Sequence, residues 1–187
     1  MVLGWRVPYT AAQLLWINLV TNGFQDIALA VEPGEAHVLR RKPYGLRARI
    51  FDRTIIQHSL VVALVFGVGC LVTYRIVWLR TEDLAQARTA AMTTMVLLQM
   101  FHAFSCRSLV TSIFRHPWST NPWLILGSLG ALGAHFLVVY ALPEGNVFST
   151  KALPLSHWVL ILPFALLGVL AMEVSKWMVR RRGLDLT

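Results

Sequence analysis

Residues 54–74 read TIIQHSLVVALVFGVGCLVTY, a run of 21 residues without one Asp, Glu, Lys or Arg. About 20 apolar residues in helical form cross the hydrocarbon core of a bilayer, so this run is long enough to span by itself. Four further charge-free runs accompany it: Val7–Gln25 (19 residues), Thr89–Cys106 (18), His116–Pro143 (28) and Ala152–Met172 (21). Membrane barrels use alternating segments of about ten residues instead, and no such alternation is visible. The expected fold class is therefore all-α, a polytopic membrane helix bundle of about five transmembrane helices. Residues 1–187 form a single transmembrane domain in this reading, with spans near 9–31, 54–79, 87–107, 119–141 and 156–179.

Composition agrees. Apolar residues make up 56% of the chain and charged residues 14%, against about 25% charged in an ordinary soluble domain. Such hydrophobicity also excludes intrinsic disorder. Cys70 and Cys106 lie in apolar stretches and make no disulfide framework. The net charge of +8 invites a nucleic-acid reading, but the distribution of the charge rejects it. Arg40, Arg41, Lys42, Arg47, Arg49 and Arg53 lie between the first two spans, Arg107 and Arg115 between the third and fourth, and Lys176, Arg180, Arg181 and Arg182 after the fifth. All these fall on one side, which the positive-inside rule makes cytoplasmic. The expected partners are membrane lipids, with no nucleic acid. Five spans then place the amino terminus outside and the carboxyl terminus in the cytoplasm. An outward amino terminus without a signal-peptide pattern suits the rear portion of a larger protein.

Helix ends have local causes. Glu32-Pro33-Gly34 stops the first span. Ser119 or Thr120 is the expected cap of the fourth, ahead of Pro122, and Ser156 that of the fifth. Gly127, Gly130 and Gly133, spaced by three, suit a helix contact.

The first span carries a polar stripe. Asn18, Thr21, Asn22, Gln25 and Asp26 recur at i, i+3, i+4, i+7 and i+8, one face of a helix. Polar groups in hydrocarbon are costly, so such a stripe should turn toward other helices or a wet cavity. Its oxygens are hard ligands of the kind a small cation takes. Gly23, in the middle, favours a loosened turn. Interhelical hydrogen bonding is the other reading of the same spacing. On the third span Gln99, His102 and Cys106 form a sparser row that suits packing. His102 reads as a hydrogen-bonded interior histidine, while His58 and His135, isolated inside spans with no companion at fixed spacing, are assigned no role.

The stretch from Gln13 to Thr21, QLLWINLVT, followed by Ala28-Leu29-Ala30-Val31-Glu32-Pro33, resembles the sixth transmembrane helix of P-type cation-transporting ATPases, in the calcium-pump branch. The segment from Lys151 to Trp158, KALPLSHW, is similar to that family's lead-in to its last helix. The resemblance covers nearly the whole chain. It implies a carboxy-terminal transmembrane domain whose first helix supplies cation ligands, with the later helices as scaffold. Asn18 and Thr21 match two ligand positions of the family's Asn-Leu-Val-Thr-Asp-Gly pattern, while Asn22 stands where the pattern has Asp. Gln99 stands where two-calcium pumps carry a Glu on their eighth helix. Each departure trades a carboxylate for an amide, which lowers attraction for a divalent cation. Asp26, one turn beyond Asn22, restores part of that charge. The implied cation-binding set is Asn18, Thr21, Asn22, Gln99 and Asp26, with Asn18, Thr21 and Asn22 as direct metal ligands and Ca²⁺ or another cation as cargo.

No catalytic residue is assigned. None of Asp26, Asp52, Asp83 or Asp185 is followed by Lys-Thr-Gly, the phosphorylation motif of such pumps, and no Walker-type loop is present. ATP and Mg²⁺ are thus expected to act only through missing domains, and the implied partner is the remaining amino-terminal part of the pump. In the family the first cytoplasmic loop couples to the phosphorylation domain, which gives Glu35 and the basic run after it that expectation. A non-catalytic scaffold or accessory subunit is the competing class.

Overall fold

The computed structural model describes residues 6–34, 51, 53–109, 111–115 and 117–181. Glu35, Asp52, Asp185 and the basic residues Arg40, Arg41, Lys42, Arg47, Arg49 and Arg182 lie outside the described residues. Among the described residues the secondary structure is helical throughout.

The chain opens with Thr10 and Gln13 in a reciprocal capping box. Thr10 Oγ1 accepts from the Gln13 amide at 3.2 Å, and Gln13 Oε1 accepts from the Thr10 amide at 3.0 Å. Helix α1 (Ala11–Thr21) follows. It widens into a π turn over Asn22–Asp26 and continues as α2 (Ile27–Ala30), ending before Glu32-Pro33 as expected. Next come α3 (Arg53–Thr81) and α4 (Leu84–Ser105), the latter capped by the Asp83 side chain on the Gln86 amide at 3.1 Å.

Two short 3-10 turns, Ile113–Arg115 and Trp118–Thr120, lead to α5 (Pro122–Phe136), which widens into a second π turn over Leu137–Ala141. The last helix, α6, runs Leu155–Arg181 with Pro163 inside it. Two expected caps are corrected. Ser119 and Thr120 are consumed in a 3-10 turn, and Asn121 caps α5 through the Leu124 amide at 3.1 Å. Ser156 lies inside α6, whose first turn closes from the His157 amide to the Pro154 carbonyl.

Helices α3, α4 and α6 pack into one group, and the first helical column lies against α4 and α5. The centre is α4. Its Ala87, Ala90, Ala91, Met92, Val96 and Leu97 are buried against Ile17 and Val20 of α1, Tyr74 and Val77 of α3, and Ile161 and Ala165 of α6. Small residues on α4 let these backbones come close. Its buried threonines need no outside partner, because Thr89, Thr93 and Thr94 each donate to the carbonyl four residues back at 2.8–2.9 Å.

Leucines meanwhile line the outside, among them Leu60, Leu64, Leu166 and Leu170, a pattern that suits hydrocarbon rather than water. Arg53–Thr81, Pro122–Ala141 and Leu155–Arg181 are each long and apolar enough to cross a membrane. The first helical column and α4 carry the polar residues and fall short by that measure. The protein is an all-α integral membrane helix bundle.

Candidate cation site

The polar stripe of the first helix divides in two. Thr21 and Gln25 are buried, whereas Asn18, Asn22 and Asp26 are exposed. The Thr21 hydroxyl donates to the Ile17 carbonyl at 2.7 Å, with Asn22 Oδ1 also 3.3 Å away. Gln25 Nε2 donates to Ser128 Oγ on α5 at 3.2 Å, so Gln25 serves the helix contact. Asn18, Asn22 and Asp26 stand at i, i+4 and i+8 along a face that the described helices leave uncovered.

The loosened turn expected around Gly23 takes the form of the π turn Asn22–Asp26. Its upstream neighbour Thr21 sits at φ −92°, ψ −61°, and the Asn22 amide is shared between the Asn18 and Leu19 carbonyls. A single wide turn inside an α-helix recurs at functional sites. Here it carries Asn22 at its start and Asp26 at its end. Helix α5 braces it from behind: a Cβ on Gly127 would lie 2.9 Å from the Phe24 carbonyl oxygen, and one on Gly130 would meet the Phe24 ring. Gly133 faces open space, so two of the three spaced glycines make the contact. An apolar groove of about 410 Å³ lies between the two helices, lined by Gly23, Phe24, Ile27, Trp123, Leu126 and Gly127 among others, and not by the polar row.

Gln99 lies on α4, half-buried, and its Oε1 is buried without a hydrogen-bond partner among the described residues. An unsatisfied buried acceptor costs about 1–3 kcal/mol, which a ligand would relieve. His102 Nε2 lies 3.3 Å from Cys106 Sγ. His58 bridges Ser175 Oγ at 2.7 Å and the Leu109 carbonyl at 3.0 Å. His135 takes the Trp16 indole N–H on Nδ1 at 3.4 Å, so Nε2 keeps its proton and donates to Thr93 Oγ1 at 3.0 Å. His58 and His135 are buried, hydrogen-bonded histidines, whereas His102 is half-buried beside an exposed Cys106. No cluster of three His, Cys, Asp or Glu suited to a metal exists among the described residues.

Sequence reasoning missed the partners of this helix. Glu32 meets Arg107 at 2.8 Å, Asn121 meets Glu32 at 2.7 Å, and Trp16 meets His135, across sequence separations that no periodicity reveals. Gln13, fully buried, has Nε2 unpartnered among the described residues; the Thr-x-x-Gln spacing signalled its capping role.

Comparison with known proteins places this arrangement. Residues 6–178 match the family described as "Cation transporting ATPase, C-terminus". The chain is 33% identical over 163 residues to the "Calcium-transporting ATPase" of Bacillus subtilis, covering 87% of this chain and 18% of that protein. It is 30% identical over 183 residues to "Calcium-transporting ATPase 1" of Schizosaccharomyces pombe, covering 98% of this chain and 20% of that protein. It is also 30% identical over 165 residues to the "Probable cation-transporting ATPase F" of Mycobacterium bovis, covering 88% and 18%. The chain thus spans about a fifth of the length of these relatives. With its helical bundle and the family match over residues 6–178, the chain belongs to the cation-transporting ATPase family, as the carboxy-terminal region of such proteins.

Proposed function

We propose that the chain is the carboxy-terminal membrane domain of an ATP-driven cation pump and that its first helix holds part of the transport site. The observation that carries this reading is the π turn Asn22–Asp26 beside an open row of Asn18, Asn22 and Asp26. Amide and carboxylate oxygens on an uncovered membrane-helix face are expensive in hydrocarbon. Further pump helices supplied by the rest of the protein would cover that face and enclose a cation. Asn18 and Asn22 give amide oxygens and Asp26 the negative charge. Thr21, turned inward with its hydroxyl on the Ile17 carbonyl, does not meet the ion from the front. Gln99 brings from α4 an oxygen that has no partner among the described residues.

The cargo is a cation, with Ca²⁺ the first candidate because the relatives are calcium-transporting ATPases by name. ATP and Mg²⁺ act in domains outside this chain, and the helical columns, five among the described residues, sit as one transmembrane domain with the carboxyl terminus in the cytoplasm. Phosphorylation elsewhere shifts the helices between two states that differ in cation affinity.

The test is cation-stimulated phosphorylation of the complete pump. Asn18→Ala and Asn22→Ala should each raise the cation concentration needed for half-maximal phosphorylation. An unchanged concentration in both removes the row from the site.

A further inference from the structure

Asn121 stands where two helices end. Its Oδ1 accepts from the Leu124 amide at 3.1 Å and caps the start of α5. Its Nδ2 donates to the Ala28 carbonyl at 2.9 Å and to Glu32 Oε2 at 2.7 Å. The last carbonyls of a helix lack intrahelical donors, and the Glu32 amide goes to Leu29 instead of Ala28. One side chain therefore satisfies the end of α2 and the beginning of α5 together.

The second oxygen of Glu32 is taken as well. Arg107 Nε and Nη2 reach Glu32 Oε1 at 2.9 and 2.8 Å, while the same guanidinium donates to the Pro117 carbonyl at 3.2 Å and to the Thr120 hydroxyl. The Arg107 side chain is 4% exposed and that of Glu32 13%. A buried ion pair persists when its remaining hydrogen-bonding positions are filled, and here both carboxylate oxygens are.

We propose that Arg107, Glu32 and Asn121 form a clasp that positions the cation row. The inference rests on the reading above, that Asn18, Asn22 and Asp26 hold the ion. A π turn packs one residue more than an α turn, and its relaxation would rotate everything downstream by about 100°. Upstream, α1 is held by Tyr9 on the Ala91 carbonyl at 3.3 Å and by Trp16 on His135. Inside the turn Gln25 bonds Ser128 of α5, and downstream the clasp holds the Ala28–Glu32 end at the start of α5. With both ends fixed, the wide turn cannot unwind, and Asp26 stays on the face that Asn18 and Asn22 share. Arg107, Glu32 and Asn121 touch no ion in this account; they are positioning residues.

The experiment compares Asn121→Asp, Arg107→Lys and the control Asn22→Ala in the complete pump, reading phosphorylation against cation concentration. Asn121→Asp keeps the acceptor that caps α5 but loses both donors and faces Glu32 with a like charge. Arg107→Lys keeps the charge and loses the fork. Each should raise the half-saturating concentration by about tenfold, the scale of one lost hydrogen bond to a charged group, with the level at saturating cation retained. Glu32→Gln combined with Asn121→Asp, which again sets an amide donor against a carboxylate, should recover part of that loss. If Asn121→Asp fails to accumulate, Arg107→Lys decides alone. A shift in the control without one in the clasp variants overturns the clasp and leaves the cation row standing. No shift in any of the three overturns both.

Discussion

Gly127 of α5 lies so close to Phe24 in the π turn that a Cβ added to it would stand 2.9 Å from the Phe24 carbonyl oxygen. That atom is backbone, so it cannot swing aside as a side-chain tip would. Gly127→Ala should therefore destabilise the protein by about 1–3 kcal/mol, the usual range for overpacking. Gly133→Ala, facing open space on the same helix, should be neutral or slightly stabilising through better helix propensity. Thermal unfolding of both variants in detergent checks the contrast, and equal effects would remove the close approach as its cause.

Gln25 and Ser128 offer a second test. Their hydrogen bond at 3.2 Å is buried between two helices, and such bonds average about 0.6 kcal/mol in membrane proteins, with a ceiling near 1.7. A double-mutant cycle of Gln25→Leu and Ser128→Ala should return a coupling energy of that size. Because Gln25 turns away from Asn22, neither variant should change cation dependence as strongly as Asn22→Ala. A Gln25→Leu effect as large as that of Asn22→Ala would put Gln25 back among the ligands.

Outside the helices, Asp83 accepts from Lys151 Nζ at 2.8 Å. That hydrogen bond is the main reason its carboxyl is held below the usual carboxylate range, and the Gln86 amide helps. A carboxyl whose folded pKa is depressed adds stability above its unfolded value, about 4, and loses it as the pH falls through the lower folded value. The difference in Tm between the parent and Asp83→Asn should be full from about pH 5 upward and shrink as acid protonates Asp83. A difference that is constant across this window would contradict the pairing.

How much of this could be read beforehand depended on distance along the chain. The helical columns announced themselves through charge-free runs, and Gly23, the weakest helix former in a stretch with Thr21, Asn22 and Asp26, marked the wide turn. The faces of the stripe were harder. Simple periodicity put Asn22 and Gln25 together, but the π turn separates them, leaving Asn22 open and Gln25 against Ser128. The α5 cap moved from Ser119 or Thr120 to Asn121 because a 3-10 turn absorbed the earlier residues. Glu32 and Arg107 were visible as a helix stop and a loop charge. Nothing in a linear pattern links residues 75 positions apart; the packing of Ala28 of α2 with Ala103 of α4 and Leu124 of α5 brings them together.

Equilibrium Ca²⁺ binding to the complete pump, compared for the parent, Asn22→Asp and Asn22→Ala, tests the cation row most directly. A carboxylate at position 22 adds a charged oxygen ligand, so Asn22→Asp should tighten binding by about tenfold and Asn22→Ala should weaken it. Identical affinity in all three would contradict the account, because the side chain at the mouth of the π turn would then face no ion.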